Sequence, residues 1–226
     1  MKKEIITIDG PSGSGKSTIS RIVAARLGFT YLDTGAMYRT MGYYALREGV
    51  DLDDEKGLGR LLENLDLELY PGDHDTRIFL NKQEISELIR TAEMGMAASR
   101  VSALPVVREK LTAIQQEIGR SGKVVAEGRD TGTIVFPEAA HKFYLDASSE
   151  ERARRRTLQL REQGYEADES EILKQIKERD EADSSRSQAP LRAAEDAVVI
   201  DSSKLTIEEV IRRIIAKVKG DASDEM

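Results

Sequence analysis

The 226-residue sequence contains no cysteine, which excludes disulfide bonds and thiolate metal sites. Its two histidines, His74 and His141, are far apart in the chain and make a poor metal-binding pair. No apolar run approaches the length of a membrane span, and the first residues, MKKEIITIDG, lack the long apolar region of a signal peptide. We therefore expect a cytoplasmic protein that engages no membrane.

The sequence also lacks an excess of basic residues, because 34 lysines and arginines face 41 acidic residues and the formal net charge is −7. Proteins that bind nucleic-acid polymers through a broad basic face usually carry the opposite charge. We expect no such polymer as a partner, so any bound anion must be gathered by a local cluster of arginines. The length predicts one main domain with small insertions, and residues 221–226 are expected to form a flexible tail.

Apolar strands alternate with helical patterns along most of the chain. The runs EIITID, FTYLD, KVVAEG, HKFYLD and AVVID are typical of buried parallel strands. The segments between them favour helices, two of which begin with the capping boxes Ser148–Glu151 and Thr206–Glu209. The pattern predicts an α/β fold with a five-stranded, doubly wound parallel sheet flanked by helices.

The middle of the chain follows a different pattern. LDLELY and TRIFLNKQEI alternate apolar and polar residues, which favours short antiparallel strands with Asn81 and Lys82 in a tight turn. Helices are expected in DDEKGLGRLLENL and from about residue 91 to 119, with a break or a new N-terminus at Pro105. We interpret residues 50–100 as an insertion on the α/β frame.

The segment GPSGSGKST follows the first predicted strand and precedes a helix, and it matches the phosphate-loop pattern G-x-x-x-x-G-K-[ST]. Glycines let backbone N–H groups approach phosphate oxygens, Lys16 can reach β- and γ-phosphates, and Ser17 can ligate Mg²⁺. A chance glycine-rich turn is the alternative, and the strand–turn–helix context argues against it. The residues predicted to bind ATP here are Gly10, Pro11, Ser12, Gly13, Ser14, Gly15, Lys16, Ser17 and Thr18.

Phosphate loops occur in switches, motors and kinases, and the rest of the chain favours a kinase. The guanine-reading pattern N-K-x-D has only a partial counterpart, NKQE, which lies in the hairpin-like insertion. Arginines, in contrast, recur outside the phosphate loop. A kinase that acts on a phosphorylated acceptor must hold two anions against each other, and arginine binds phosphate bidentately and stays charged.

Several blocks of sequence together resemble bacterial cytidylate kinases: TIDGPSGSGKST, YLDTGAMYR, IRTAE, VVREKL, EGRDTGTIVFP, DASSEERARRR and IKERDEADSSRSQAPL. The resemblance implies a P-loop kinase that transfers phosphate from ATP to CMP or dCMP with Mg²⁺, as a monomer. It implies a core domain (residues 1–33, 102–147 and 165–220), a domain that binds the nucleoside monophosphate (34–101) and a short helical lid (148–164). UMP or a metabolite as acceptor, and a non-catalytic nucleotide-gated binding protein, remain the alternatives.

The resemblance also implies roles for individual residues on the acceptor side. Asp130 would accept from the amino group of cytosine, while Ser99 and Arg108 satisfy the ring acceptors. The full set implied to bind CMP is Thr34, Arg39, Ser99, Arg108, Arg129, Asp130, Arg179, Asp183 and Arg186. From the residues alone, a solvated Arg39, a turn pair of Arg129 with Asp130 and a helical ion pair of Arg179 with Asp183 remain open.

On the donor side, the resemblance implies that Arg152 and Arg156 of the lid lie over the ATP phosphates. The spacing places Arg179, Asp183 and Arg186 on one helix face if the helix continues that far. The resemblance implies that Arg186 reaches the transferring phosphates. Asp33 is a candidate for the outer shell of Mg²⁺. The residues implied to be catalytic are Lys16, Arg129, Arg186 and Arg156.

Overall fold

The computed structural model describes residues 4–71, 76–162, 164–186 and 188–220, so His74 and the expected tail at 221–226 lie outside the described residues. Its strands are β1 Ile5–Asp9, β2 Thr30–Asp33, β3 Leu67–Pro71, β4 Thr76–Leu80, β5 Gln83–Glu84, β6 Val124–Gly128, β7 His141–Asp146 and β8 Val198–Asp201. Its α-helices are α1 Lys16–Leu27, α2 Thr34–Arg47, α3 Glu55–Glu63, α4 Ala92–Val101, α5 Pro105–Ile118, α6 Ser149–Glu162, α7 Glu169–Ser184 and α8 Ile207–Lys219.

The predicted five-stranded parallel sheet is confirmed, with the strand order β2-β6-β1-β7-β8. β1 lies at its centre and pairs in parallel with β6, Ile5 opposite Val124, and with β7, Ile6 opposite His141. Every residue of β1 and β6 is buried, as expected for strands that are covered on both faces. The carboxyl ends of β1 and β6 meet in register, so the loops that follow them begin at the same edge of the sheet.

The helix ends follow the signals in the sequence. Gly28 after α1 and Gly220 after α8 both adopt left-handed conformations, with φ of 66° and 77°. Such C-terminal positions favour glycine because it has no Cβ. At the start of α8, the Thr206 side chain and the Glu209 carboxylate exchange both bonds of the predicted capping box. Helix α5 begins at Pro105, as predicted.

The insertion contains the predicted antiparallel strands, ordered β3-β4-β5. Asn81 and Lys82 connect β4 to β5, and their φ values of 51° and 67° are those of a two-residue hairpin turn. A separate apolar cluster supports this sheet; its buried members are Ala36, Tyr44, Ile78, Leu80, Ile85 and Ile89.

The chain divides into two compact units, residues 30–122 and the remainder. The unit of residues 30–122 contains the expected acceptor domain, 34–101, together with α5, which packs against α2 and α3. The functional division into core, acceptor domain and lid stays a prediction. Within the described ranges, no helix combines the length and the apolar character that a membrane span requires.

Candidate active site

The phosphate loop connects β1 to α1, and its backbone is built around glycine. Gly10 has a φ of 150°, and a Cβ on this residue would lie 2.0 Å from the carbonyl oxygen of Leu145, so no side chain fits. Gly15 has a φ of 92° and occupies the N-cap position of α1. The loop therefore opens directly onto a helix N-terminus, where amides and the helix dipole favour a bound anion.

Lys16, the first residue of α1, is buried, and its ammonium group turns back onto the loop. Nζ donates to the carbonyl oxygen of Pro11 at 2.6 Å and lies 3.5 Å from Oγ of Ser14. Burial lowers the pKa of Lys16 to about 7, and the positive charge of Arg129 acts in the same direction. A phosphate near Nζ would favour the charged form, so the lysine is suited to a site that an anion completes.

Two polar contacts hold the phosphate loop from outside. Arg152 on α6 donates to the carbonyl oxygen of Ser12 at 3.0 Å and also pairs with Asp180 on α7. On the other side, the hydroxyl of Ser202, which follows β8, lies 3.4 Å from the carbonyl oxygen of Ser14. The loop is thus braced by two different segments of the same unit.

The two arginines predicted to cover ATP differ in their surroundings. Arg152 is 4% exposed and fully engaged by Ala147, Ser12 and Asp180. Arg156, one turn later on α6, is half-buried and donates to Gln159 at 2.8 Å. Contact with ATP stays a prediction for both residues.

A buried carboxylate joins two of the predicted acceptor arginines. Asp183, whose side chain is 2% exposed, accepts from Nε of Arg129 at 3.1 Å and also binds Arg186. The predicted helix face for Arg179, Asp183 and Arg186 is wrong at its last member, because α7 ends at Ser184. Arg186 reaches Asp183 from the segment after the helix, so the contact forms although the helical reason for it does not apply.

Charged groups of both signs in the same unit lie close enough to Lys16 to affect its pKa. Arg129 and Arg179 both lower the pKa of Lys16, while Glu127 and Asp9 raise it by their opposite charge. Three cations close enough to affect one another repel, and bound phosphate groups would relieve that repulsion. Arginines beside a phosphate-loop lysine are suited to a phosphorylated ligand.

Asp130 lies in a turn that a second buried carboxylate holds. Asp9, the last residue of β1, accepts from the N–H and the hydroxyl of Thr131 at 2.9 and 2.7 Å and from the N–H of Gly132 at 2.7 Å. The chain then forms a π-helical turn, Thr131–Val135, where the sequence suggested only a turn at Arg129 and Asp130. Asp130 itself is buried.

The environment of Asp9 predicts a dependence of stability on pH. Burial raises the pKa of Asp9 to about 6, although its hydrogen bonds to Gly132 and Thr131 act in the opposite direction. The folded protein therefore binds a proton that the unfolded chain releases near pH 4. The stabilisation from this proton is complete below about pH 4 and is lost as the pH rises through 6.

We expect the free energy of unfolding of wild type, minus that of Asp9→Asn, to fall by about 2 kcal/mol between pH 4 and 7. Urea unfolding of both proteins across this range measures the difference, and groups that titrate alike in both proteins cancel. Among the groups near Asp9, Asp130 raises its pKa by charge repulsion, and Lys16 is the nearby cation. A difference independent of pH would contradict the expectation.

In residues 30–122, Asp33 and Arg39 form a local pair. One oxygen of Asp33 accepts from the N–H of Ala36 at 2.8 Å and so caps α2, and the other accepts from Arg39 at 2.9 Å. The neighbouring Thr34 is buried. Asp33 therefore holds the guanidinium of Arg39 in place, and its predicted contact with the shell of Mg²⁺ stays a prediction.

The predicted base-reading residues of this unit lie near each other in the chain and the fold. Arg108 is buried on α5, where it donates to the carbonyl oxygen of Ser102 at 3.2 Å and lies over the ring of Tyr38. The hydroxyl of Ser102 in turn donates to the carbonyl oxygen of Ser99 at 2.9 Å. The short segment from Ser99 to Arg108 is therefore held together by its own polar contacts.

Two buried acids beside the phosphate loop, Asp9 and Glu127, were not predicted from the sequence. Glu127 is 3% exposed on β6, and Asp9 is 4% exposed at the end of β1. The sequence contained a signal for both, because each charged residue lies within or at the end of an apolar run that is typical of a buried strand. A charge in a buried strand requires a partner, and partners of opposite charge occur at functional sites.

Comparison with known proteins gives a consistent result. The family profile described as cytidylate kinase matches residues 6–220. A protein of Carboxydothermus hydrogenoformans named cytidylate kinase is 50% identical over 210 residues, which cover 93% of this chain and 95% of that protein. A Pasteurella multocida protein of the same name is 46% identical over 217 residues, which cover 96% of each chain.

Among solved structures, a gluconokinase from Sinorhizobium meliloti 1021 aligns with a TM-score of 0.50 and 16% identity, over 97% of this chain and 93% of that one. At this identity the likeness concerns the fold alone. It agrees with the α/β architecture described above.

Proposed function

We propose that this chain, which belongs to the cytidylate kinase family, transfers the γ-phosphoryl group of ATP to the α-phosphate of CMP or dCMP, giving ADP with CDP or dCDP. The observation that carries the proposal is the pairing of Arg129 and Arg186 on one buried carboxylate, in the unit that also holds Lys16. Arginines fixed in this way can hold a second phosphate beside the one that the phosphate loop binds.

On the donor side, the N–H groups of residues 10–15 other than Pro11, together with the N-terminus of α1, would hold the ATP phosphates. Lys16 would leave its contact with Pro11 and follow the charge that develops on the transferring group. Residues 148–164 would act as a lid, with Arg152 and Arg156 over the phosphates, and their closure would exclude water.

The residues at the phosphate loop also fit Mg²⁺. Ser17 is exposed at the start of α1 beside the buried Lys16, and a hydroxyl together with phosphate oxygens and waters is the ligand set that Mg²⁺ takes in nucleotide sites. We propose Ser17 as its protein ligand and Asp33 as part of its outer shell. The ion, when bound, would neutralise charge on the β- and γ-phosphates.

On the acceptor side, residues 34–101 would form the domain that binds the nucleoside monophosphate. Arg39, Arg129 and Arg186 would hold the α-phosphate of CMP, and Thr34 would lie near it. Arg179 and Asp183 would hold the sugar and its surroundings. The attacking phosphate oxygen is already anionic and needs no general base, so an in-line displacement depends on positioning and on cationic stabilisation.

The base would be recognised by polarity. Asp130 would accept from the exocyclic amino group of cytosine, and Arg108 and Ser99 would donate to the ring acceptors. Uracil has a carbonyl where cytosine has that amino group, so it would place an acceptor against Asp130. A mismatch of this kind costs on the order of 2–3 kcal/mol, which corresponds to about a hundredfold selectivity.

A panel of monophosphates with ATP tests the function. We expect CMP and dCMP to give the highest kcat/KM, and Asp130→Ala to raise the KM for CMP by about 100-fold while the KM for ATP changes little. Equal or better turnover of UMP or AMP would contradict the cytosine assignment. Failure of CMP to accelerate ATP consumption would favour a nucleotide-gated binding protein instead.

A further inference from the structure

Asp9 stands at the junction of two functional segments. It is the last residue of β1, immediately before the phosphate loop, and its side chain is directed to the turn that follows Arg129 and Asp130. Both carboxylate oxygens are used: Oδ1 accepts from the N–H and the hydroxyl of Thr131, and Oδ2 accepts from the N–H of Gly132.

The bonded turn has little freedom to shift. Thr131 is completely buried, and a Cβ on Gly132 would lie 2.7 Å from the hydroxyl of Thr7 and 3.3 Å from Oδ2 of Asp9. The carbonyl oxygen of Asp130 accepts from the N–H of Ile134 at 2.9 Å, so Asp130 forms the first part of the same turn. The position of the turn relative to β1 therefore depends on the Asp9 carboxylate.

We infer that Asp9 is a positioning residue. It fixes the position of Asp130 relative to the acceptor base and thereby controls the preference for cytosine over uracil. The inference rests on the proposed function. Asp9 touches neither substrate in this scheme; it acts through Thr131 and Gly132. Because its backbone continues directly into Gly10, a single residue fixes the acceptor turn relative to the phosphate loop.

The variant Asp9→Asn tests the inference, because its amide cannot accept at both positions and sets an N–H₂ group against one of the donors. We expect the ratio of kcat/KM for CMP to that for UMP to fall at least about tenfold, with the KM for CMP raised and the KM for ATP changed less than about threefold. A loss of kcat alone, with unchanged selectivity, would show a merely structural role and overturn the inference.

A second pair of variants keeps the Asp9 charge and the fold. Thr131→Val replaces the hydroxyl that donates to Asp9 with a methyl group, whereas Thr131→Ser retains the hydroxyl. We expect the valine variant to lose selectivity by about three- to tenfold and the serine variant to match wild type. Equal selectivity in valine, serine and wild-type proteins would contradict the inference even if Asp9→Asn fails to fold.

Amide hydrogen exchange of the ligand-free proteins separates this inference from the proposed function. We expect protection of the Thr131 and Gly132 amides to fall about tenfold or more in Asp9→Asn, while amides of α8 keep theirs. Unchanged protection of the turn would overturn the positioning role whatever the activity. If wild type fails to phosphorylate CMP, the proposed function falls, and the exchange result still decides whether Asp9 holds the turn.

Discussion

Replacement of Lys16 by alanine is expected to lower kcat by about a thousandfold, equivalent to about 4 kcal/mol of transition-state stabilisation. The ammonium group has a backbone carbonyl and a hydroxyl near it in the ligand-free protein, and its pKa is lowered to about 7 by burial. It therefore contributes little to folding, and a bound phosphate would give its charge a strong partner. Steady-state kinetics and thermal unfolding of the same preparation measure both effects.

Lys142 provides a matched control for Lys16. It is also a buried lysine whose Nζ donates to a proline carbonyl oxygen at 2.6 Å, here that of Pro137, but it pairs with Asp196 at 2.8 Å. Lys142→Ala should lose about 1–3 kcal/mol of stability and retain kcat within about twofold. Near-normal turnover of Lys16→Ala, or equal kinetic losses in the two variants, would refute the role assigned to Lys16.

Removal of the Asp183 carboxylate is expected to have the second largest effect. Asp183→Ala leaves Arg129 and Arg186 without the buried acid that orients them, so kcat/KM for CMP should fall by about 10²- to 10³-fold. The isosteric Asp183→Asn retains one acceptor and should lose less. Kinetics with CMP and ATP varied separately would locate the loss on the acceptor side.

The exposed pair of Arg26 with Glu208 serves as the control for Asp183. Its two bonds are both 2.7 Å long, but the side chains are 44% and 55% exposed, so water replaces the lost partner. Glu208→Ala should leave kinetics and melting temperature nearly unchanged. An unchanged KM and kcat for CMP in Asp183→Ala would show that the two arginines do not require this acid.

The features that the sequence predicted correctly depend on local chemistry. The five parallel strands are runs of apolar residues, and the hairpin at Asn81 and Lys82 requires only alternation and two residues that tolerate positive φ. The phosphate loop is likewise recognisable from adjacent residues. Such features arise from interactions within a few positions of the chain.

The features that the sequence could not predict depend on distant residues. The bond between Arg129 and Asp183 joins residues that are 54 positions apart. The bond between Asp9 and Thr131 joins residues that are 122 positions apart. Periodicity and motifs do not reveal which side chains fill one buried space, so roles of this kind required the folded structure.

The central place of β1 has a consequence for the synthesis of the protein. Ile5 pairs with Val124 and Ile6 with His141, so both neighbours of the first strand are encoded far downstream of it. At translation rates of about 5–20 residues per second, several seconds pass between the synthesis of this isoleucine-rich strand and the synthesis of β6 and β7. During that interval the nascent chain exposes an unpaired apolar strand, to which chaperones can bind. The phosphate loop cannot take its place beside β6 and β7 until those strands have been synthesised.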